Sequence, residues 1–348
     1  MQRKSRNPLK ILVIISVIIV AVVAFFATRY YLTFKYENVS EKGLIVNISS
    51  RYDYNAMMEY LHEQDGWINW KRFERSAEKM ELSTSFKPGR YVFQAGVNNE
   101  FIIRSIINNW ESPLNIVISG RIRSNERLAM ILGKQFDADS SDFITILNDN
   151  NFRDSLGFSK YTYLSMFIPN TYEMYWTASP ESVLMRLRKE YDTFWNEDRR
   201  QKAVNIGMTP FEVSALASIV TEESNYAPEQ PTIAGVYINR IKKGIKLQAD
   251  PTVVFAINDP TVRRVLNSHL KIDSPYNTYK YKGLPPGPIA VPSISSIDAV
   301  LNYEKHNYVY FCARPELDGR HNFSASYNEH LRNARKYRKA IEERNAAQ

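Results

Sequence analysis

The sequence predicts an α+β fold of short strands and helices behind a single N-terminal transmembrane helix. Three observations carry that expectation. Residues 11–28, ILVIISVIIVAVVAFFAT, are an uninterrupted apolar run. Helical periods alternate irregularly with short β-rich runs such as LNIVIS (114–119), which favours α+β over a doubly wound sheet. A strongly capped pair of helical segments fills residues 209–244.

The apolar run spans roughly 27 Å at about 1.5 Å per residue, enough to cross a hydrocarbon core. Arg3, Lys4, Arg6 and Lys10 precede it, with no acid among residues 1–10. By the positive-inside rule, residues 1–10 are a cytoplasmic tail and the chain after Arg29 lies outside. A cleaved signal peptide competes with this reading. The run is longer than a usual signal core and AFFATRY is a weak cleavage site, so the expectation is an uncleaved anchor.

The 348 residues carry a net charge of +8, of which the tail supplies half. The rest shows no dense basic patch away from the ends, which argues against a nucleic-acid partner. Length alone allows two or three domains. Cys312 is the single cysteine, so no internal disulfide is available. Its neighbours Tyr308 to Phe311 predict a buried strand and an inert thiol. His62, His269, His306, His321 and His330 form no metal-ligand pattern, and there is no phosphate loop or nucleophile elbow, so no cofactor is expected.

In chain order, residues 54–62 and 67–81 read as helices. Lys87-Pro88-Gly89 is a turn before a strand at 91–93, and a helix at 101–107 follows the cap region Asn98 to Glu100. Helices are expected at 125–134, 141–149 and 179–195. Asp250-Pro251 reads as a break, with Thr252 capping an element at 253–257. Residues 275–292, PYNTYKYKGLPPGPIAVP, hold five prolines and two glycines and predict a stiff extended loop. Its Tyr276, Tyr279 and Tyr281 offer flat apolar faces and Asn277 and Thr278 polar partners, a combination that suits sugar rings. A loop sealing a core explains the same residues nearly as well. A short helix at 295–301, a strand at 308–313, a turn at 318–324 containing His321, and a basic exposed helix from 327 complete the chain. His321 either binds substrate or steadies its loop.

Residues 209–250, TPFEVSALASIVTEESNYAPEQPTIAGVYINRIKKGIKLQAD, are the centre of the chain. Thr209 is an N-cap, Pro210 takes the first helical position and Glu212 completes a capping box. Val213, Leu216, Ala217 and Val220 give one apolar face. Glu223 falls on that face, while Glu222 falls on a more polar flank. A carboxyl ending an apolar stripe loses solvation, which raises its pKa and suits a general acid. A Glu fraying into water at the helix end is the bland alternative. The second helix runs from about Pro231 to Gly244, so the two pack as a hairpin with the Glu223 pocket at its tip.

ALASIVTEES, AGVYINRIKKGIKLQADPTVVFAI, YNTYKYKGLPPGPIAVP and YVYFCAR…DGRHNFS, in that order, resemble the endolytic murein transglycosylase family, also called YceG-like. KPGRYVFQAGVNNEFIIRSI is similar to its LysM-like subdomain and FIPNTYEMY to its FPDTY segment. The resemblance covers most of the chain from about residue 80, plus the anchor. It implies a LysM-like α/β subdomain with its N-terminal extension at 32–120 and a catalytic domain at 121–348. It also implies a single-pass inner-membrane enzyme with its catalytic domain outside the cytoplasm. Such an enzyme cleaves the bond between N-acetylmuramic acid and N-acetylglucosamine in nascent peptidoglycan strands and leaves 1,6-anhydro ends. Peptidoglycan synthases or divisome proteins are the implied partners.

The family glutamate falls on Glu223, and Thr221 stands where the family usually has an acid. Glu223-Ser224 also resembles the Glu-Ser signature of other lytic transglycosylases. Asn239, Gln248, Asp250, Tyr276, Asn277, Thr278, Ser224 and His321 are the expected glycan-binding residues. Asn170, Ile168 and Leu164-Ser165 depart from the usual pattern. Two alternatives stay open: an inactive peptidoglycan-binding scaffold, and a hydrolytic muramidase using a second carboxylate such as Asp250.

Overall fold

The computed structural model describes residues 8–259 and 265–346, so Arg3, Lys4 and Arg6 of the basic tail lie outside the described residues. The fold is mixed α+β: fifteen α-helices and six short strands among the described residues, the strands arranged as three two-stranded sheets. The chain divides into two compact units, Met1–Asn115 with Glu173–Ala178, and Ile116–Tyr172 with Ser179–Gln348.

The first unit begins with α1 (Pro8–Tyr30), which continues through one π-helical segment, Tyr31–Lys35. This helix is long and apolar enough to cross a membrane. Its last turns are tied to the folded part by a buried polar network. The Thr33 carbonyl accepts from Ser76 Oγ at 2.9 Å and from Asn99 Nδ2 at 2.8 Å. Asn38 Nδ2 in turn donates to Asn99 Oδ1 at 2.7 Å. Lys35 pairs with Glu100 alongside.

Strand β1 (Leu44–Ile48) pairs antiparallel with β2 (Gly89–Phe93), with Leu44 opposite Phe93 and Ile48 opposite Gly89. Leu44, Val46 and Ile48 are buried while Ile45 is exposed, the period-two pattern of a half-buried strand. Around them pack α2 (Tyr54–His62), α3 (Trp70–Lys79), α4 (Leu82–Ser85) and α5 (Asn99–Ile107). Asp53, Asn69 and Asn98 cap α2, α3 and α5 through their side chains, which is why these helices start where they do. The expected helix at 67–81 is shorter than anticipated because Asn69 caps it.

The second unit contains the rest of β3 (Leu114–Ile118), then α6 (Asn125–Gly133), α7 (Ser140–Leu147), α8 (Asn150–Ser155) and the first part of β4 (Asn170–Met174). It resumes with α9 (Pro180–Phe194) and α10 (Glu197–Asn205). Its centre is α11 (Pro210–Glu223), whose Thr209–Glu212 capping box is present as the sequence predicts. Every residue from Val213 to Val220 is buried, so α11 is surrounded on all sides rather than on one face. Small residues make this possible. Ser214 and Ser218 return their hydroxyls to Pro210 and Ala215 carbonyls, and Ser218 Oγ also accepts from Ile289 N at 3.0 Å. Burial of Leu216, Ile219 and Val220 contributes about 1.5–3 kcal/mol each.

Packed on α11 are α12 (Gln230–Lys242), α13 (Asp250–Ile257) and α14 (Ile294–Leu301). Asp250-Pro251 does not break the chain. It opens α13, with Pro251 in the first turn where its missing N–H is harmless. Residues 275–292 form no regular helix or strand, in keeping with their prolines. Strand β5 (Tyr310–Ala313) pairs antiparallel with β6 (His321–Ser324), and α15 (Tyr327–Ala346) follows with none of its residues buried. Cys312 lies on β5 only half-buried, because a two-stranded sheet leaves one face thinly covered.

Candidate active site

Glu223 is the last residue of α11, and the helix that holds it is the next one in the chain. Tyr237, buried on α12, donates its hydroxyl to Glu223 Oε1 at 2.7 Å. Desolvation raises the Glu223 pKa to about 7, and the charges of Asp250 and Glu222 push the same way, while the Tyr237 bond opposes them. The negative end of the helix dipole adds to the cost of ionising a C-terminal carboxyl. Burial first, and the Glu223 carboxylate next, keep the Tyr237 phenol well above its ordinary range, so it remains a donor.

Two adjoining cavities share Glu223 and Asp250. One, of about 200 Å³, is lined by Glu223, Tyr237, Arg240, Gln248, Asp250 and Tyr279, with Leu247 and Phe311 as apolar walls. The other, of about 500 Å³, is lined by Arg121, Arg123, Glu222, Glu223, Asp250 and Pro251, with Val254 and Val265. The proton-bearing carboxyl therefore sits where two parts of a groove meet. The first cavity lies beside the middle turns of α12, through Tyr237 and Arg240, and not at the hairpin tip that the sequence suggests.

Glu222 lies on the polar flank that the helical period predicts. Its side chain is only 3% exposed, held by Arg121 at 2.9 Å and by Arg123. Its flank is polar because two arginines cover it, and not because it faces water. Asp250 accepts from the Tyr279 hydroxyl at 2.5 Å. It is the first residue of α13. Arg240 is buried and bonds the Val309 carbonyl at 2.6 Å, the Leu247 carbonyl at 2.8 Å and Gln248 Oε1 at 3.3 Å. It thereby fixes the left-handed Gln248 backbone (φ 53°) that bends the chain toward Asp250.

Of the expected glycan-binding residues, Gln248 and Asp250 line the cavities. The others are engaged elsewhere. Asn277 donates to the Leu270 and Ile272 carbonyls and accepts from Tyr279 N, so it shapes the loop that presents Tyr279. Thr278 Oγ1 accepts from Ala249 N and pairs with Thr252 Oγ1. Asn239 Nδ2 donates to the His306 and Tyr308 carbonyls. Tyr276 packs on Phe255. Ser224 is buried, its Oγ accepting from Tyr226 N. His321 is gripped by Glu229, which accepts from its backbone N and meets its Nδ1, both at 2.8 Å. Thr221, at the usual acid position, takes Ser293 N and joins α11 to the cap of α14.

A model of the YceG-like family matches residues 46–336. The chain belongs to the YceG-like family. It is 26% identical over 319 residues to an endolytic murein transglycosylase of Bacillus subtilis, covering 86% of each chain. It is 26% identical over 183 residues to an endolytic murein transglycosylase of Streptococcus pneumoniae, covering 50% of this chain and 32% of that one. A crystal structure of a putative YceG-like protein from Listeria monocytogenes shares the fold, with a TM-score of 0.57 at 24% identity, over 84% of this chain and 99% of that one.

In this YceG-like chain, sequence reasoning did not assign Tyr237, Arg240, Arg121 and Arg123 to the site. Tyr237 and Arg240 sit three apart on one helix, a spacing that places them on one face. That was the available signal. Arg123 is 99 residues from its partner Glu222, and no local pattern marks it.

Proposed function

We propose that this protein is a membrane-anchored lytic transglycosylase that cuts peptidoglycan strands internally between N-acetylmuramic acid and N-acetylglucosamine. The observation that carries the reading is Glu223, a carboxyl protonated up to about pH 7 where two cavities of a groove join. The family membership and the names of the relatives support the substrate class. The apolar α1 supports anchoring, with the N-terminus cytoplasmic and the catalytic unit outside. The β1–β2 pair with its helices is the part of the chain we assign to the LysM-like subdomain, and residues 121–348 to catalysis.

In this reading Tyr237 holds Oε1 of Glu223, which leaves the proton on Oε2 for the bridging glycosidic oxygen. As the C1–O bond breaks, the C6 hydroxyl of the same muramyl residue attacks C1 and returns its proton to the Glu223 carboxylate. The products are a 1,6-anhydro end and a free C4 hydroxyl, and no water is consumed. Asp250, with Tyr279, stabilises the positive charge developing at C1, and Gln248 and Arg240 shape the cavity around it.

A hydrolytic reading has one observation in its favour: Asp250 lines both cavities with Glu223, as a second carboxylate that activates water would. Mass spectrometry of products from uncrosslinked glycan strands separates the two. Anhydro-muramyl ends that disappear in Glu223→Gln support the lytic reading. Products heavier by one water mean a hydrolase, and binding without cleavage means a scaffold.

A further inference from the structure

We propose that the first unit carries a binding site for the phosphate of an anionic phospholipid, at the end of the membrane helix. This rests on the reading of α1 as a membrane span. A cavity of about 420 Å³ there is lined by Phe25, Thr28, Arg29, Leu32, Thr33, Arg72 and Arg75, within the size range of ligand pockets, about 300–1,000 Å³.

Its chemistry is divided along the helix. Phe25, Thr28 and Leu32 offer an acyl and glycerol surface. Arg29 is the first charge after the apolar run, so the guanidiniums stand at headgroup depth. Arg72 and Arg75 are three apart on α3 and share a face. Among the described residues, none of the three arginines is paired with a carboxylate. Arg72 stacks over Tyr36 at 5.1 Å, which orients the fork, and its Nη1 is buried with no acceptor among the described residues. A planar guanidinium with unfilled donors matches phosphate oxygens in pairs. The cavity is rigid, because Thr33 in its wall is the residue bolted to Ser76 and Asn99. An acidic protein segment would need no apolar lower wall, which is why a lipid fits better.

The test uses the full-length protein in detergent micelles and native mass spectrometry with added phosphatidylglycerol or phosphatidylcholine of the same chains. One phosphatidylglycerol retained under conditions that strip phosphatidylcholine is expected. Arg72→Gln/Arg75→Gln weakens that binding about tenfold or more, and Arg29→Gln, on the surface of α1, about fivefold. The control Lys42→Gln/Lys71→Gln removes two exposed charges of the same unit outside the cavity and leaves binding within about a factor of two. Melting curves of each variant verify folding, and Arg29→Gln serves if the double variant is unfolded. Equal loss in the control, equal retention of both lipids, or displacement by inorganic phosphate at the same concentration overturns the proposal. Membrane fractionation tests the anchor separately. A chain found in the soluble fraction overturns both readings, whereas a membrane-bound chain with unaltered lipid binding in the arginine variants overturns only the site.

Discussion

Tyr237 reaches from the middle of α12 to bond Oε1 of Glu223 at the end of α11, so the orientation of the carboxyl depends on how two helices pack. The bond favours the carboxylate, and desolvation favours the acid more strongly. The balance can be read in variants that move it in opposite directions.

Tyr237→Phe removes a contribution that lowers the Glu223 pKa, and Asp250→Asn removes one that raises it. Activity that needs protonated Glu223 declines above about pH 7 in the unmodified protein. The alkaline limb of the kcat profile therefore moves up in Tyr237→Phe and down in Asp250→Asn. A hydrogen bond worth about 1 kcal/mol corresponds to roughly 0.7 of a pH unit. Limbs that move together, or stay put, remove Glu223 as the titrating acid.

Glu223→Gln lowers the rate by about a hundredfold to ten-thousandfold, the usual contribution of a general acid. It also changes stability with a definite sign. The folded carboxyl titrates near 7 and the unfolded one near 4.5, so the folded state holds its proton more tightly. The contribution of Glu223 to stability is thus fully present below about 4.5, and up to about 3 kcal/mol of it is lost as pH rises through 7. Glutamine does not titrate, so melting curves should show the variant gaining on the native protein between these pH values. A Tm difference independent of pH contradicts the raised carboxyl.

Arg240→Lys tests the frame of the smaller cavity. A lysine cannot serve the Val309 and Leu247 carbonyls and Gln248 together. Denaturant unfolding is expected to show a loss of about 2–3 kcal/mol, and steady-state kinetics a raised KM as Gln248 loses its hold. A stable variant with an ordinary KM shows that Gln248 is positioned by other means.

Gly287 lies in the proline-rich loop, where an added Cβ would stand 1.8 Å from the Tyr161 carbonyl oxygen. Gly287→Ala forces backbone apart from backbone and costs about 2–3 kcal/mol or more. Gly283, open around its α-carbon but at φ 84°, suffers the conformational penalty alone, so Gly283→Ala should lower Tm less. Equal losses mean that the close approach is not a constraint.

What was legible in the sequence was local. Thr209 and Glu212 mark the start of α11 because they bond each other within one turn, Pro210 suits the first helical position, and Glu223 follows by helical period. Asp250-Pro251 reads as a break because proline ends a helix and begins one with the same residue, and only the packing on α11 decides. The polar flank of Glu222 is legible in the helical period but its cover is not, because Arg123 is 99 residues away in the chain. The polar residues of the proline-rich loop looked available for sugars. Asn277 and Thr278 are instead occupied by backbone groups that a loop without regular structure must satisfy.

The continuity of α1 into the folded part makes it a post rather than a leash. Thr33, Ser76, Asn99 and Asn38 tie the end of the helix to the rest of the first unit. Spans accommodate bilayers of different thickness largely by tilting. With α1 read as a membrane span, a thinner bilayer makes the helix lean, and the first unit leans with it. Lipid thickness is thereby converted into the attitude of a folded body at the membrane surface.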